Sequence, residues 1–491
     1  MTTNEGFRYR PGYGLERGMK CQAAINPLRN IPAKVADVFD VIVLGAGYAG
    51  LTACRDLCTA GYKVLLLEAR DRLGGRTYTT EVDGHLYEMG GTWIHWNQPH
   101  IYREMSRYGV IDMLDSTDSK GIGCNKQSVL AQGTPSDMSL EEAGALISKT
   151  FELLCDVDGK AGRDIIPFPH NPHLNPEARK WEKLSVADRL GQIASQLTEM
   201  ELAILKATIV GITGNTLEAS GFFDVLRWWA LSGYTCEGLG GYTETFKLML
   251  GQSDMVRRFF EEAVRTGNLA YALGTHVTSI ADQGNYVVAK TRSGEGFAGT
   301  RLVCTLPLNV LRDVQFEPAL SATKQAAIAE GHINFGAKMH LEAAGTDLRA
   351  WTCASWPPER VLTGLGDGIT PAGNTHVVLF GLNKDMSSQE DDARDFIADA
   401  ERLRPMAVKQ AIWHNWATDP LARGTWCMFG PDYTYKHLDA LRERAGNILF
   451  ASGDWALGWR GFIDGAIEEG ARAAKVVGED LGRPKRPTAF L

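Results

Sequence analysis

The chain has 491 residues, 44% of them hydrophobic and 22% charged, and 51 Lys+Arg against 59 Asp+Glu leave a net charge of −8. That composition excludes a disordered or fibrous protein, the length predicts two or three domains, and a mildly acidic chain with no long basic run is a poor partner for nucleic acid. Nine scattered cysteines without a C-x-x-C pair, no Asn-x-Ser/Thr sequon and no apolar leader predict reduced thiols in an intracellular compartment. No run approaches the ~18 uninterrupted apolar residues of a membrane span, so no membrane partner is expected.

In chain order, residues 1–35 read as an irregular arm. Val38 to Leu44 is a short β-branched apolar run, hence a buried strand. Gly45-Ala46-Gly47-Tyr48-Ala49-Gly50 follows, then a helix from Leu51 to Ala60 closed by Gly61, then a second buried strand from Lys63 to Glu68. Together they make one βαβ unit, and Cys54 and Cys58 share a face of its helix as packing residues. A mixed, more helical region runs from about 113 to 250, broken by the Pro-rich stretch Pro167 to Pro172. Strands recur at Thr275 to Ile280, Tyr286 to Thr291 and Leu302 to Thr305, the stretch 330 to 416 mixes strands and helices, and a helix from about Ala466 to Leu481 ends the fold. The alternation predicts an α/β protein with a Rossmann-like nucleotide-binding domain assembled from discontinuous segments and an inserted α+β domain. The expected boundaries are an arm at 1–35, a binding domain at 36–112, 253–327 and 419–482, a substrate domain at 113–252 and 328–418, and a tail at 483–491.

The motif Gly45-x-Gly47-x-x-Gly50 sits between strand and helix. Its first glycine allows the tight turn, the second lets backbone approach a pyrophosphate, and the third lets helix pack on strand; helix amides then hold the phosphate charge. Glu68 ends the next strand about twenty residues on, where a carboxylate can accept from both ribose hydroxyls of an adenosine. The chain continues directly as Ala69-Arg70-Asp71-Arg72-Leu73-Gly74-Gly75-Arg76, and a double glycine before an arginine can bring backbone and guanidinium against phosphates. Glu88-Met89-Gly90-Gly91-Thr92-Trp93 is a second site of close backbone approach.

The segments VIVLGAGYAGLTA, LLLLEARDRLGGRTYT, YEMGGTWIHW, LVCTLPLNVL, HNWATDPLARGTW and SGDWALGWRGFIDGAIEEGARAA span residues 38 to 482. With them the chain resembles the flavin-containing amine oxidase family and, within it, the soluble fungal monoamine oxidases. The resemblance implies an FAD-binding domain whose cofactor is held by Gly45, Gly47, Ala49, Gly50, Glu68, Ala69, Arg70, Gly75, Arg76, Gly91, Thr92 and Trp93. It adds Val277 at the adenine, Thr305 along the cofactor, Trp416 near the ring, Asp454 at the ribityl chain or the pyrophosphate edge where most relatives carry Glu, and Phe462 with Ile463 at the pyrimidine end. The last helix would aim its positive N-terminus at the flavin, favouring the reduced anionic form.

The catalytic residues implied by the same resemblance are Lys338, holding a water beside N5 with neutral neighbours around it, and Trp426 with Phe462, flanking the substrate nitrogen. Thr425 stands where animal relatives attach the flavin through cysteine, so the FAD is expected to be non-covalent; Cys427, two positions on, would share its face if the segment were a strand. The implied reaction takes an amine to an imine, which hydrolyses to aldehyde or ketone plus ammonia, with O2 reduced to H2O2. An oxidase of secondary amines or alkaloids, or a flavoprotein without turnover, would carry the same cofactor motifs. No metal is expected: His170 and His173 lack a third ligand, and GxxxxGK[ST], HExxH and GxSxG are missing. Phe222-Phe223 and Trp228-Trp229 line a substrate cavity or belong to the core. The partners are an amine and O2, with a homo-oligomer possible. The ending Thr488-Ala489-Phe490-Leu491 only partly resembles a peroxisomal address, so a cytoplasmic location is expected first and a peroxisomal one second.

Overall fold

The computed structural model describes residues 1–31, 39–131, 133–383 and 388–482. Val38 and the C-terminal tail from Arg483, with the terminal residues Thr488 to Leu491, lie outside them.

Phe39–Leu44 forms a strand whose last four residues are buried, so both of its faces are covered. Helix Tyr48–Thr59 starts directly after the glycine turn and gives way at Ala60 to Gly61, whose φ of 96° ends the helix. Strand Val64–Leu67 returns parallel to the first. These strands lie in an eight-stranded sheet with the order Leu269–Ala272, Val64–Leu67, Phe39–Leu44, Gly296–Cys304, Val287–Thr291, Val277–Asp282, Gln315–Glu317, while Ile448–Phe450 pairs alongside Gly296–Cys304. Leu44 is level with Leu67 and with Cys304, and Cys304 with Phe450, all in parallel pairs. The carboxyl ends of four strands therefore meet at one edge, where a doubly wound sheet offers a ligand crevice. The last helix runs Ile463–Leu481, beginning one turn earlier than its composition suggested. A Cβ on Gly470 would lie 2.3 Å from Ala49 O, so this helix crosses Tyr48–Thr59 nearly backbone to backbone.

A nine-stranded sheet faces that edge, in the order Gly14–Arg17, Phe7–Arg10, Val408–Trp413, Gly336–Ala343, Thr375–Leu382, Val361–Ile369, Trp351–Trp356, Lys126–Ala131, Thr134–Ser139. One expectation is corrected here. Residues 1–31 are not an irregular arm: Phe7–Arg10 and Gly14–Arg17 form a hairpin on the sheet edge, with Phe7 stacked 5.4 Å from Trp413 and Tyr9 buried. The alternation Phe-Arg-Tyr-Arg carries that information, but four residues are too few to separate strand from coil. The region 113–250, read as mixed and more helical, contributes the hairpin Lys126–Ala131 and Thr134–Ser139 to the same sheet beside its helices.

Its helices include Leu140–Cys155 and Glu199–Thr213, each opened by a capping box, Ser139 with Glu142 and Thr198 with Glu201. Phe222–Leu231 and Cys236–Glu244 follow. Phe151, Leu154, Phe222 and Trp229 pack into one core that holds these helices together. Helix Glu199–Thr213 lies against the large sheet and ends at Gly214, whose left-handed φ of 65° turns the chain away.

Candidate active site

One cavity of about 690 Å³ runs from the converging strand ends to the middle of the nine-stranded sheet. Every residue anticipated above as cofactor-binding or catalytic lines it, except Gly50. Gly50 has a packing role: a Cβ there would lie 1.9 Å from Gly45 O. Gly45 takes a φ of 103°, and a Cβ on it would meet Thr305 Oγ1 at 2.7 Å. Gly47 is different. Nothing but Gly75 Cα, at 3.9 Å, and Gly74 O, at 4.0 Å, would meet its Cβ, so it leaves the trough open.

Helix Tyr48–Thr59 begins at Gly47 with no side-chain cap and no acid in its first turn, so its free amides face the cavity. Glu68 lines the trough beside them and accepts from Ala46 N at 2.6 Å and Arg70 N at 2.8 Å. Burial raises its carboxyl above the usual range, and these two amides pull it back only in part.

The two arginines are placed differently from a free phosphate clamp. Arg76 donates to Thr425 O and to Asp454 Oδ1, both at 2.7 Å. Asp454 Oδ2 accepts from Leu308 N at 2.8 Å, so both carboxylate oxygens are already engaged within the protein. Burial pushes the Asp454 carboxyl up, but Arg76 and the surrounding donors more than offset it and hold it below the usual range. Arg70 reaches back to Glu5 and, at 2.8 Å, to Asp419, which also accepts from His414 at 2.7 Å. The N-terminal segment thus supplies, through Glu5, a carboxylate for both Arg70 and Arg72. Trp416 is fixed by donation from Nε1 to Met89 O at 2.8 Å.

At the other end Lys338 projects from the central strand Gly336–Ala343. Its Nζ donates to Glu88 O at 2.8 Å, Gly90 O at 3.1 Å and Thr92 Oγ1 at 2.6 Å, and lies 4.7 Å from the Trp93 ring centroid. Burial lowers its pKa below the ordinary lysine value, and Glu88, Asp367 and Glu244 oppose that fall. The atoms in contact with Lys338 Nζ are neutral, and three carboxylates and Lys247 act on it at longer range. Glu88 O also accepts from His340 Nε2 at 2.9 Å. The Glu88 carboxylate meanwhile caps helix Gln252–Arg265 by accepting from Gln252 N at 2.7 Å.

Trp426 is held by donation to Ile212 O at 2.8 Å and meets Phe380 edge-on at 6.2 Å. Phe462 packs 4.7 Å from Trp228 and 5.0 Å from Trp459. Of the aromatic patch at 222–229, Trp228 lines the cavity whereas Phe222, Phe223 and Trp229 are core. Thr425 and Cys427 do not lie in a strand. Thr425 lines the cavity, while Cys427 turns away, its thiol 3.3 Å from Asp454 O inside the core.

Helix Ile463–Leu481 starts beside Phe462, again without a side-chain cap. Its one first-turn acid, Asp464, serves another helix instead, accepting from His100 N at 2.6 Å and Ile101 N at 2.9 Å. Two helix N-termini thus point bare amides into one cavity. Sequence reasoning did not single out Phe380, Ile212 or Glu244, which line the reactive end; each lies in a stretch that looks like ordinary core or surface. Among the described residues no group of three His, Cys, Asp or Glu could hold a metal ion, and no helix is long and apolar enough to cross a membrane.

Residues 48–478 match the family described as flavin containing amine oxidoreductase. A pseudooxynicotine dehydrogenase from Pseudomonas sp is 30% identical over 441 residues, covering 88% of this chain and 84% of the relative. A nicotine dehydrogenase from Pseudomonas putida is 30% identical over 490 residues, covering 97% and 98%. Among solved structures, putrescine oxidase bound to putrescine superposes with a TM-score of 0.73 at 18% identity, covering 90% of this chain and 99% of that one. Cyclohexylamine oxidase from Brevibacterium oxydans gives 0.72 at 18%, covering 91% and 100%. At that identity the two structures share the fold.

Proposed function

The chain belongs to the flavin-containing amine oxidoreductase family and is an enzyme that oxidises amines, and from this premise we propose that FAD lies non-covalently along the cavity with the reacting amine between Trp426 and Phe462. The observation that carries this reading is the pair of uncapped helix N-termini at two points of one cavity. The start of Tyr48–Thr59, with the open trough at Gly47, suits a pyrophosphate. The start of Ile463–Leu481 suits the end of the ring system that becomes anionic on reduction. Glu68 suits an adenosine ribose. When bound, the flavin supplies a two-electron acceptor for the Cα–H bond of an amine.

The protein's own contribution is placement and dryness. Trp426 and Phe462 present aromatic faces that orient a neutral nitrogen and keep water from it. The apolar walls around them disfavour the ammonium form, so the amine reacts unprotonated. Lys338 gives its three ammonium protons to two carbonyls and Thr92, so it would order a water beside the ring by exchanging one of those contacts for it. Arg76 and Asp454 lock the 305–308 loop against the cofactor edge. Attachment through sulfur is disfavoured because Thr425 faces the cavity and Cys427 does not.

We take O2 as the electron acceptor, with H2O2 released. Oxidation of a secondary amine on an alkaloid-like skeleton is a second reading, favoured by the names of the two Pseudomonas relatives. A panel of primary, secondary and cyclic amines, assayed for peroxide, tests the activity; a holoenzyme silent across the panel contradicts it. Acid precipitation tests the attachment, the expected result being a yellow supernatant over a colourless pellet.

A further inference from the structure

Glu244 is the last residue of helix Cys236–Glu244 and forms part of the cavity wall. Its side chain is exposed, yet burial within the molecule raises its carboxyl above the usual range, with Lys338 opposing the rise. Glu244 lines the cavity wall, so part of the surface it exposes borders that cavity. Among the described residues its carboxylate has no hydrogen bond and no ion pair. Lys338 acts on it only at longer range, its own protons going to Glu88 O, Gly90 O and Thr92 Oγ1.

Two costs meet at this residue. A carboxylate in a cavity wall without a partner is unfavourable, and the carbonyl end of a helix repels negative charge. A cation brought by a ligand removes both. The reacting nitrogen is the wrong cation, because an ion pair would keep it protonated whereas the reaction needs its lone pair free. Position separates the two as well. From Trp426 the wall passes to Phe380 at 6.2 Å and on to Trp93 at 5.9 Å between ring centroids. Trp93 is bridged to Lys247, and Ile94 N donates to Phe246 O at 2.8 Å, which brings the segment after Glu244 to the Trp93 end of that path.

Resting on the function proposed above, we propose that Glu244 binds a second ammonium group of the substrate, so that preferred substrates carry two basic nitrogens, one oxidised between Trp426 and Phe462 and the other held at Glu244. Glu244 is then a specificity residue that selects diamines, or amines with a basic nitrogen on a chain or ring, over simple monoamines.

The test is calorimetric titration of the holoenzyme at neutral pH with α,ω-diamines of three to six carbons. Each is matched by an n-alkylamine in which methyl replaces the second ammonium. At least one diamine should bind about tenfold or more tighter than its match, as a charge-assisted hydrogen bond allows. Glu244→Gln should lower that ratio by about tenfold, and Glu244→Asp, with a shorter arm, should move the optimum to a longer diamine. An unchanged ratio in Glu244→Gln overturns the proposal, as does an equal loss for both members of a pair, which would place Glu244 at the reacting nitrogen. The titration is run without O2 on holoenzyme whose flavin has been reduced beforehand, so that binding is read without turnover. Amines that bind with Glu244-dependent preference but never bleach the flavin would contradict the proposed function alone; bleaching with an unmoved ratio would contradict this inference alone.

Discussion

At the end of the cavity proposed for the nucleotide the wall is backbone: Gly45, Gly47 and Gly75, the bare start of helix Tyr48–Thr59, and two amides bonded to Glu68. At the reactive end the wall is side chains: Trp93, Trp228, Lys338, Phe380, Trp426 and Phe462, drawn from six separate stretches of chain. The first end depends on what a backbone can do without a Cβ, so one substitution there acts through sterics. The second depends on which rings and charges the fold brings together, so substitutions there should change rates and preferences while the cofactor stays. On the function proposed above, a cofactor common to many reactions would be gripped by backbone, and the substrate by side chains that can differ from one protein to another.

The largest effect that can break this contrast is expected at Gly50. Because a Cβ there would lie 1.9 Å from Gly45 O, Gly50→Val should abolish flavin binding and most folded protein. Gly47→Ala, whose Cβ meets nothing nearer than 3.9 Å, should fold with a near-normal apoprotein Tm and still lose flavin, since the added methyl fills the trough. Thermal melts with flavin absorbance on both variants check this, and full flavin content in Gly47→Ala would break the backbone account.

Lys338→Met comes next. It should keep its FAD but lower the rate of flavin reduction, reoxidation or both by about 10²-fold, the scale of a positioned donor in general acid–base chemistry. Rapid mixing under anaerobic and then aerobic conditions separates the two. Unchanged rates in both would remove Lys338 from the reaction.

How much of this could be read without the fold follows from the same contrast. The glycine turn, Glu68 and the double glycine at 74–75 are close in sequence, and each residue type has a local mechanical reason to be there. Lys338, Trp426 and Phe462 needed the family resemblance, because an isolated lysine or aromatic residue has no such reason. Phe380 and Glu244 escaped both routes: one looks like a core phenylalanine in a strand and the other like a surface acid at a helix end. The N-terminal hairpin was missed because its strands are four residues long, and with it the bonds from Glu5 to Arg70 and Arg72.

A pH experiment sharpens the nucleotide end. Burial pushes Asp454 and Asp419 up, but Arg76 in one case, and His414 with Arg70 in the other, leave both carboxyls below the ordinary range. Depressed folded values mean that the unfolded chain binds more protons. The stabilisation is therefore complete above about pH 4, the unfolded aspartate value, and is lost as pH falls through the folded values. Tm should drop on acidification from pH 6 to pH 3, and Asp454→Asn should flatten the slope. An identical slope in that variant would contradict the assignment. The smallest effect is expected at the hairpin: Phe7→Ala removes the stacking on Trp413 and should cost about 1 kcal/mol, read from urea denaturation, with flavin content unchanged.

Anaerobic mixing of the FAD-loaded enzyme with the amine panel, followed by flavin absorbance, tests the central claim most directly. The account predicts that at least one amine bleaches the bound flavin and that Trp426→Ala slows this bleaching without releasing the cofactor. Stably bound FAD that no primary, secondary or cyclic amine reduces, or bleaching as fast in Trp426→Ala as in the parent chain, would contradict it.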